Sequence, residues 1–454
     1  MNTEITFPRI FTVAPVTQQE RIAVVDVLRG VAVLGILLMN IISFGLAFHG
    51  GMATEPEING SNTRANLAYW FVSQVLFEGK MRALFSMLFG AGVVLLATRG
   101  EERGAGLRVA DIYYRRTMWL ILFGVLHAYF LWAGDVLYVY GVFGLFLFPL
   151  RKADPKWLLT AGLVLMLLGG AKGVWMGYDL YQMRERAAVA NRLAAEGKTL
   201  TDEQKADQKQ WEMREKNRKL DPEKIKKELE THRGGYGKLF VSRMKLVTEM
   251  QSSMMYRNLL YDVAGMMLVG MALLLSGVLT GARANGFYWK LMLCGYGIGG
   301  ALNAAVGWYE LKTGFGPESF MAQFASYDAG RLLVALGHAS LVILMVKNGW
   351  LRRLTARLAA VGQTALSGYL ATSVICSTLF YGYGFGLFGK LQRYQLLYVV
   401  VAVWVFLLIA APIWLRHFQY GPMEWVWRSL TYWRKQPMRL HAKEVAPQLE
   451  PSAI

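Results

Sequence analysis

The sequence predicts an all-α integral membrane protein, a polytopic bundle of about ten transmembrane helices with an extramembrane helical hairpin. Three observations predict it. The 454 residues are 54% hydrophobic and 18% charged, against about 25% charged in an ordinary soluble domain. The apolar residues gather in runs of spanning length, and the basic residues gather at alternate ends of those runs. A mean hydropathy of +0.30 understates the lean toward lipid, because one polar stretch, 179–257, dilutes it.

A spanning helix needs about 20 mostly apolar residues, since the hydrocarbon is roughly 30 Å thick and each residue rises about 1.5 Å. Such runs lie at 30–48, 81–98, 117–133, 136–150, 157–178, 259–280, 287–308, 330–346, 365–388 and 394–415. The fourth is short. The second follows a half-apolar stretch, 65–77, which reads as a separate interfacial or re-entrant helix. No Glu-free apolar core precedes the first run (Glu4 and Glu20 stand in the first 20 residues), so it is expected to act as an uncleaved anchor rather than a signal peptide.

Lys and Arg number 49 against 31 Asp and Glu, a net charge of +18. Alternate short ends hold Arg9 and Arg21; Arg99, Arg103, Arg108, Arg115 and Arg116; Arg151, Lys152 and Lys156; Arg283; Lys347, Arg352, Arg353 and Arg357; then Arg416, Arg428, Arg434, Lys435 and Arg439. Opposite ends hold little more than Arg64, Lys312, Lys390 and Arg393. That asymmetry predicts a multi-pass protein with both termini cytoplasmic, and it removes the case for a nucleic-acid partner. Disorder, collagen and a disulfide scaffold are excluded by composition. Cys294 and Cys376 both lie in apolar runs and read as small hydrophobes.

The chain divides into an N-terminal transmembrane half, 1–178, a polar helical insertion, 179–257, a C-terminal transmembrane half, 258–415, and a basic cytoplasmic tail, 416–454. An even number of preceding spans places the insertion on the periplasmic side; long loops translocate largely regardless of charge. Helix starts are expected at Thr201–Asp202 and at Asp221-Pro222, with Pro in the first turn. The glycine strings GYGIGG (295–300) and FYGYGFGLFG (380–389) suit either close helix packing or a break in a helix.

An ionisable group inside a span is expensive, which makes each one a site hypothesis. Asp26 and Arg29 stand three apart at the start of the first span, where they form a local ion pair or leave Arg29 to bind an anionic donor; Asn40 follows in the same run. Glu78, Lys80 and Arg82 flank Gly79 in a bent start to the second span, as boundary residues that snorkel or as a site. The sequence LFGVLHAYFLWAGDVLYVYG carries the strongest signal. His127 lies eleven residues past Arg116, about 16 Å along a helix and so within the hydrocarbon. Asp135 and Trp132 follow at the turn. A general base tuned by a carboxylate is the chemical reading, although spacing alone does not join the two. Asp328 and Arg331, three apart, with His338 beyond, are weaker intrusions; Asp262 and Asn303 fall within helices. His49, His232, His417 and His441 read as solvated loop or tail residues, and no metal-ligand spacing occurs.

The stretches DVLRGVAVLGILLMN, FEGKMRALFSMLFGAG, GVLHAYFLWAGDVLYVYG and, in the tail, VGQTALSGYLATSVICSTLFYGYGFGLFG with GPMEWVWRSLTY resemble the bacterial YeiB family, which carries a C-terminal domain of unknown function, number 418. The resemblance spans nearly the whole chain outside the insertion. It implies a fold shared with membrane acyltransferases, among them relatives of the lysosomal heparan-α-glucosaminide N-acetyltransferase and the O-acyltransferases that decorate surface sugars. In the O-acyltransferases an Arg in the first span is followed, with ten residues between, by a catalytic His. Here Arg29 keeps its place and Asn40 holds the His position; an amide cannot act as a base near neutral pH. The glucosaminide N-acetyltransferase is similar to this chain in having Asn there.

The expectation is an inner-membrane acyltransferase that takes an acyl group from cytoplasmic acyl-CoA or acetyl-CoA to a small-molecule or glycan acceptor. Arg29 and the basic loops would meet the donor. His127 would serve as base with Asp135 orienting it, and Asn40, Glu78, Lys80, Arg82, Trp132, Asp328 and Arg331 would line the substrate site. No metal is expected, the lipid bilayer is the evident partner, and homo-oligomerisation is left open. A proton-coupled transporter or permease using His127, Asp135 and Asp328 is the alternative, and an envelope scaffold built on the hairpin a third.

Overall fold

The computed structural model describes residues 21–47, 63–218 and 222–440. The expected anchor's leader and His49 and His441 lie outside the described residues. Among those described there is no strand, only one isolated bridge between Phe418 and Arg439.

The helices are α1 (Ala23–Gly45), α2 (Arg64–Leu76), α3 (Lys80–Glu102), α4 (Arg108–Phe130), α5 (Leu137–Gly144), α6 (Pro155–Ala195), α7 (Asp202–Arg218), α8 (Pro222–His232), α9 (Tyr236–Glu249), α10 (Gly265–Leu275), α11 (Asn285–Cys294), α12 (Ala301–Thr313), α13 (Pro317–Lys347), α14 (Arg352–Gln363), α15 (Ala365–Phe380), α16 (Leu396–Leu415) and α17 (Pro422–Tyr432). Wide π turns, Met250–Ala264 and Gly295–Gly300, join α9 to α10 and α11 to α12.

Among the described residues, six helical segments are long and apolar enough to cross a membrane, or eight if each of two bent pairs is one span. The two remaining expected spans, 117–133 and 136–150, are not among them. α4 carries Arg115, Arg116 and His127 in its 23 residues. α5 has only 8 residues, about 12 Å of rise against roughly 30 Å of hydrocarbon. α16 belongs to the most apolar of these segments, mean hydropathy 2.8, and leaves Val405, Phe406, Ile409 and Ile413 exposed. Such an exposed apolar face suits a lipid bilayer.

Glycine decides how closely the central helices cross. Gly30 of α1 lies against the Leu358 carbonyl and Gly362 of α14 against the Asp26 carbonyl, so the two backbones touch where any Cβ would collide. Gly90 and Gly270 do the same for α3 and α10, against the carbonyls of Met267 and Met87. The two glycine strings divide between their two readings. Gly295 and Gly299 pack on α13 at Leu333 and Gly337, whereas α15 stops at Phe380 and the second string runs on as turns, with Gly386 and Gly389 at positive φ.

α6 passes unbroken through residue 178 and has 41 residues, about 60 Å, twice the hydrocarbon thickness. α7 folds back along its far half, tied by Gln208 to Asn191 at 2.7 Å and Arg186 to Asp207 at 3.3 Å. Both expected helix starts in this region are observed, at Asp202 and Pro222. At the first, the Thr201 hydroxyl accepts from the Gln204 N–H and the Gln204 side chain accepts from the Thr201 N–H, a reciprocal cap.

His232 corrects an expectation. It is half-buried rather than solvated, with its ring face to face with Phe388 at 4.1 Å and Nδ1 donating to the Glu228 carbonyl at 2.9 Å. Burial lowers its pKa below the ordinary imidazole value. The signal was invisible locally, because the partner ring is supplied by the segment beyond α15. His417 is exposed, as expected.

A few of the basic residues at span ends contact the neighbouring end. Arg151 and Lys152 pair with Glu101 at 3.1 and 2.8 Å. Lys347 donates to the Gly281 carbonyl at 2.9 Å, and the Trp427 indole to the Arg116 carbonyl at 2.8 Å.

Candidate functional site

α15 begins after an 85° bend from α14, which leaves its first N–H groups without intrahelical partners. Glu424 of α17 supplies them: its carboxylate accepts from the N–H of Leu366 at 2.6 Å and Ser367 at 3.2 Å, and from the Ser367 hydroxyl at 2.5 Å. The distinctive GPMEWVWRSLTY segment therefore holds the bend that aims α15 into the bundle. Glu424→Ala is expected to lower stability by about 1–3 kcal/mol, the cost of stranding buried donors. A thermal scan in detergent would show it, with Glu424→Gln, which keeps one acceptor, less affected.

His127 sits in the last turn of α4. The chain reverses at once, with the N–H groups of Leu131 and Trp132 both donating to the His127 carbonyl at 2.9 Å. Gly124 admits the backbone of Tyr138 against α4, and the Asp135 carboxylate caps α5 by accepting from Tyr138 N–H at 2.7 Å. This packing swings Asp135 back onto the imidazole: Oδ1 lies 2.9 Å from Nδ1. The other ring nitrogen, Nε2, lies 2.9 Å from the hydroxyl of Ser373 on α15. The side chains of His127 and Asp135 are 1% and 2% exposed, and Ser373 is equally buried. With the carboxylate accepting at Nδ1–H, the lone pair of Nε2 faces the Ser373 O–H, which donates to it. Acid, imidazole and hydroxyl thus stand in the order that activates a serine nucleophile.

A cavity of about 300 Å³ opens among α1, α3, α4, the α14–α15 bend and α17. Its lining includes Arg21, Arg29, Arg99, Arg103, Arg116 and Arg428, against Asp26 and Glu424. Asp26 binds Arg29 at 3.0 Å and Arg21 at 3.3 Å, so the expected Asp26–Arg29 pair is present and Arg29 still faces the cavity. Glu424 is engaged in capping. The guanidinium of Arg116 lies 3.8 Å from the Trp427 ring centroid. The rest of the lining is largely apolar and aromatic, and includes Phe89, Leu137, Tyr140 and Tyr369. Tyr369 is one helical turn before Ser373, and its ring centroid is 5.1 Å from that of His127.

The other expected site residues fall in separate places. Trp132 stacks on Phe44 at 4.2 Å and meets the His127 ring edge-on at 6.3 Å. Asn40 is half-buried on α1, with no hydrogen bond to His127 or Asp135. Glu78 is half-buried in the turn before α3. Lys80 does not snorkel: it is 1% exposed and donates to the Gln74 carbonyl at 2.5 Å. Arg82 and Arg331 both grip Asp262, the former at 2.6 Å, and Arg331 also meets Asp328 at 2.6 Å. Asp328 therefore belongs to this ionic network, not to the His127 chain. Tyr140 touches both regions, since it lines the cavity and its hydroxyl lies 2.8 Å from Ser86 and 3.4 Å from the Arg82 carbonyl. His338 is satisfied at both nitrogens, by Tyr296 and the Leu76 carbonyl, each at 2.8 Å. No cluster of metal-ligating side chains occurs among the described residues.

Fold and site define a helical membrane protein with a buried Ser–His–Asp chain beside an arginine-lined cavity. Residues 273–434 match the family model described as a protein of unknown function, DUF418. The uncharacterized protein YeiB of Escherichia coli (strain K12) is 30% identical over 91% of this chain and 96% of its own length. The uncharacterized protein YxaH of Bacillus subtilis (strain 168) is 28% identical over 94% and 98%. The chain belongs to the YeiB family, carrying DUF418. No solved structure matches it.

Proposed function

We propose that this protein is an acyltransferase of the bacterial inner membrane, with both termini cytoplasmic and the 179–257 region periplasmic, that moves an acyl group from cytoplasmic acyl-CoA to an acceptor hydroxyl or amine at or across the membrane. The cavity carries the proposal. Six arginines are among its lining residues, and a guanidinium suits the phosphates of a coenzyme A better than Lys because its planar fork binds two oxygens at once. The apolar part of the lining suits the pantetheine arm and acyl group. Tyr369, which lines the cavity, has its ring 5.1 Å from the imidazole that would take the acceptor's proton.

Purified protein given acetyl-CoA labelled in the acetyl group is expected to release CoA and transfer or hydrolyse the label. Replacing Arg116 and Arg428 by Gln should each raise KM for acetyl-CoA by about 10- to 100-fold, the worth of one charge-assisted hydrogen bond, while kcat moves less. An unchanged KM in both would remove the cavity arginines from donor binding.

Proton-coupled transport is a second reading, favoured by the Arg82–Asp262–Arg331–Asp328 network that reaches the same cavity through Tyr140. Uptake driven by a pH gradient in proteoliposomes, without acyl-CoA binding, would select it.

A further inference from the structure

We propose that Ser373 is a covalent way-station: the acyl group passes from the thioester to the Ser373 oxygen and only then to the acceptor. The inference rests on the acyl-transfer reading and goes beyond it, because general-base catalysis by His127 alone needs no serine.

The geometry asks for such a relay in two ways. First, the imidazole is already committed on both sides, to Asp135 at Nδ1 and to Ser373 at Nε2, each at 2.9 Å. The nearest group that His127 can deprotonate is therefore the protein's own hydroxyl, not a substrate's. Second, Ser373 is placed between two distinct environments along α15. Tyr369, four residues before it, lines the arginine-containing cavity. Tyr381, eight residues after it, joins an aromatic group with Phe44 and His232, under Arg243 at 5.8 Å. Arg243 is 5% exposed and neither of its terminal nitrogens has a hydrogen-bond partner. These positions lie about 6 and 12 Å along the helix from Ser373. An intermediate held on Ser373 would link a donor on the one side with an acceptor on the other.

Both half-reactions balance without any further reagent. In the first, Ser373 Oγ bonds to the acyl carbonyl carbon and the carbon–sulfur bond breaks. The hydroxyl proton moves to His127 Nε2 and from there to the departing thiolate, releasing CoA. In the second, the acceptor oxygen or nitrogen bonds to the ester carbon and gives its proton to Nε2. That proton returns to Ser373 Oγ as the ester bond breaks. Asp135 holds Nδ1–H throughout and stabilises the transient imidazolium.

The test needs no acceptor. Detergent-purified full-length protein is mixed with acetyl-labelled acetyl-CoA, quenched in acid and digested for peptide mass spectrometry. The expected result is a burst of CoA release up to one per protein molecule, with a hydroxylamine-labile acetyl ester on the Ser373 peptide. Ser373→Ala should lose both, with CoA release slowed by about 10³-fold or more. Ser373→Cys, which preserves size and a nucleophile, should trap an acetyl thioester, so that a folding defect in the alanine variant does not decide the matter. Wild-type rates of acetyl-CoA cleavage in Ser373→Ala, with no modified Ser373 in the parent, would overturn the relay and leave direct acyl transfer standing. Failure of the parent to cleave acetyl-CoA or longer acyl-CoA thioesters would overturn the acyl-transfer reading, and the relay with it.

Discussion

Asp135→Asn is expected to reduce acyl transfer by about 10⁴-fold while leaving the protein folded and KM for acetyl-CoA nearly unchanged. The carboxylate has two tasks, accepting Nδ1–H of His127 at 2.9 Å and the Tyr138 N–H that caps α5 at 2.7 Å. Asn has one carbonyl oxygen and one amide nitrogen. If its oxygen keeps the cap, its amide donates toward Nδ1 and forces the ring proton onto Nε2. A protonated Nε2 points a donor at Ser373 and cannot take that hydroxyl's proton, a defect that lowers kcat by about four orders of magnitude in serine hydrolases of the same arrangement. Asp135 acts through His127 and is a positioning residue, so the decisive reading is a kcat loss at constant KM with partial recovery at high pH, where hydroxide takes the serine proton in place of the imidazole. A variant that loses stability but keeps kcat would mean that Asp135 serves the helix cap alone.

Much of this architecture can be read from the residues because hydrophobic runs and i,i+3 spacings are local facts. The apolar runs mark α1, α3, α6, α13 and α16, and the Asp26–Arg29 and Asp328–Arg331 pairs form as their spacing suggests. His127 and Asp135 are eight residues apart across a single turn, within reach of a spacing argument but not settled by one. Ser373 is different in kind. It lies 246 residues from its imidazole partner, one of several hydroxyl residues in an ordinary apolar helix, and nothing in its neighbourhood marks it. Only the α14–α15 bend, fixed by Gly362 against Asp26 and by Glu424 from α17, brings it to His127. Local composition also misleads about span count where polar function intrudes, since the residues that make α4 interesting are those that dilute its hydropathy.

The largest stability effect is expected at Asp262. This carboxylate accepts from Arg82 and Arg331 together, and Arg331 is fully buried. Asp262→Asn leaves Arg331 with Asp328 and Arg82 with the Tyr327 hydroxyl at 3.1 Å, so one positive charge is left without a counter-ion beneath lipid-facing helices. Breaking a buried ion pair by removing one partner costs about 3–5 kcal/mol, because the desolvated charge that remains has nothing to offset it. Asp328→Asn should cost less, since Arg331 retains Asp262. The argument has a sharper consequence than simple destabilisation. Removing the surplus cation as well, in Arg82→Met with Asp262→Asn, restores charge balance and should recover much of the lost thermal midpoint despite deleting a second native contact. If the network is only hydrogen-bonded packing, the double variant will instead be less stable than either single one. If it carries protons, both singles and the double will abolish gradient-driven uptake while leaving acetyl-CoA cleavage untouched, which separates the network's role from that of His127 in one set of proteins.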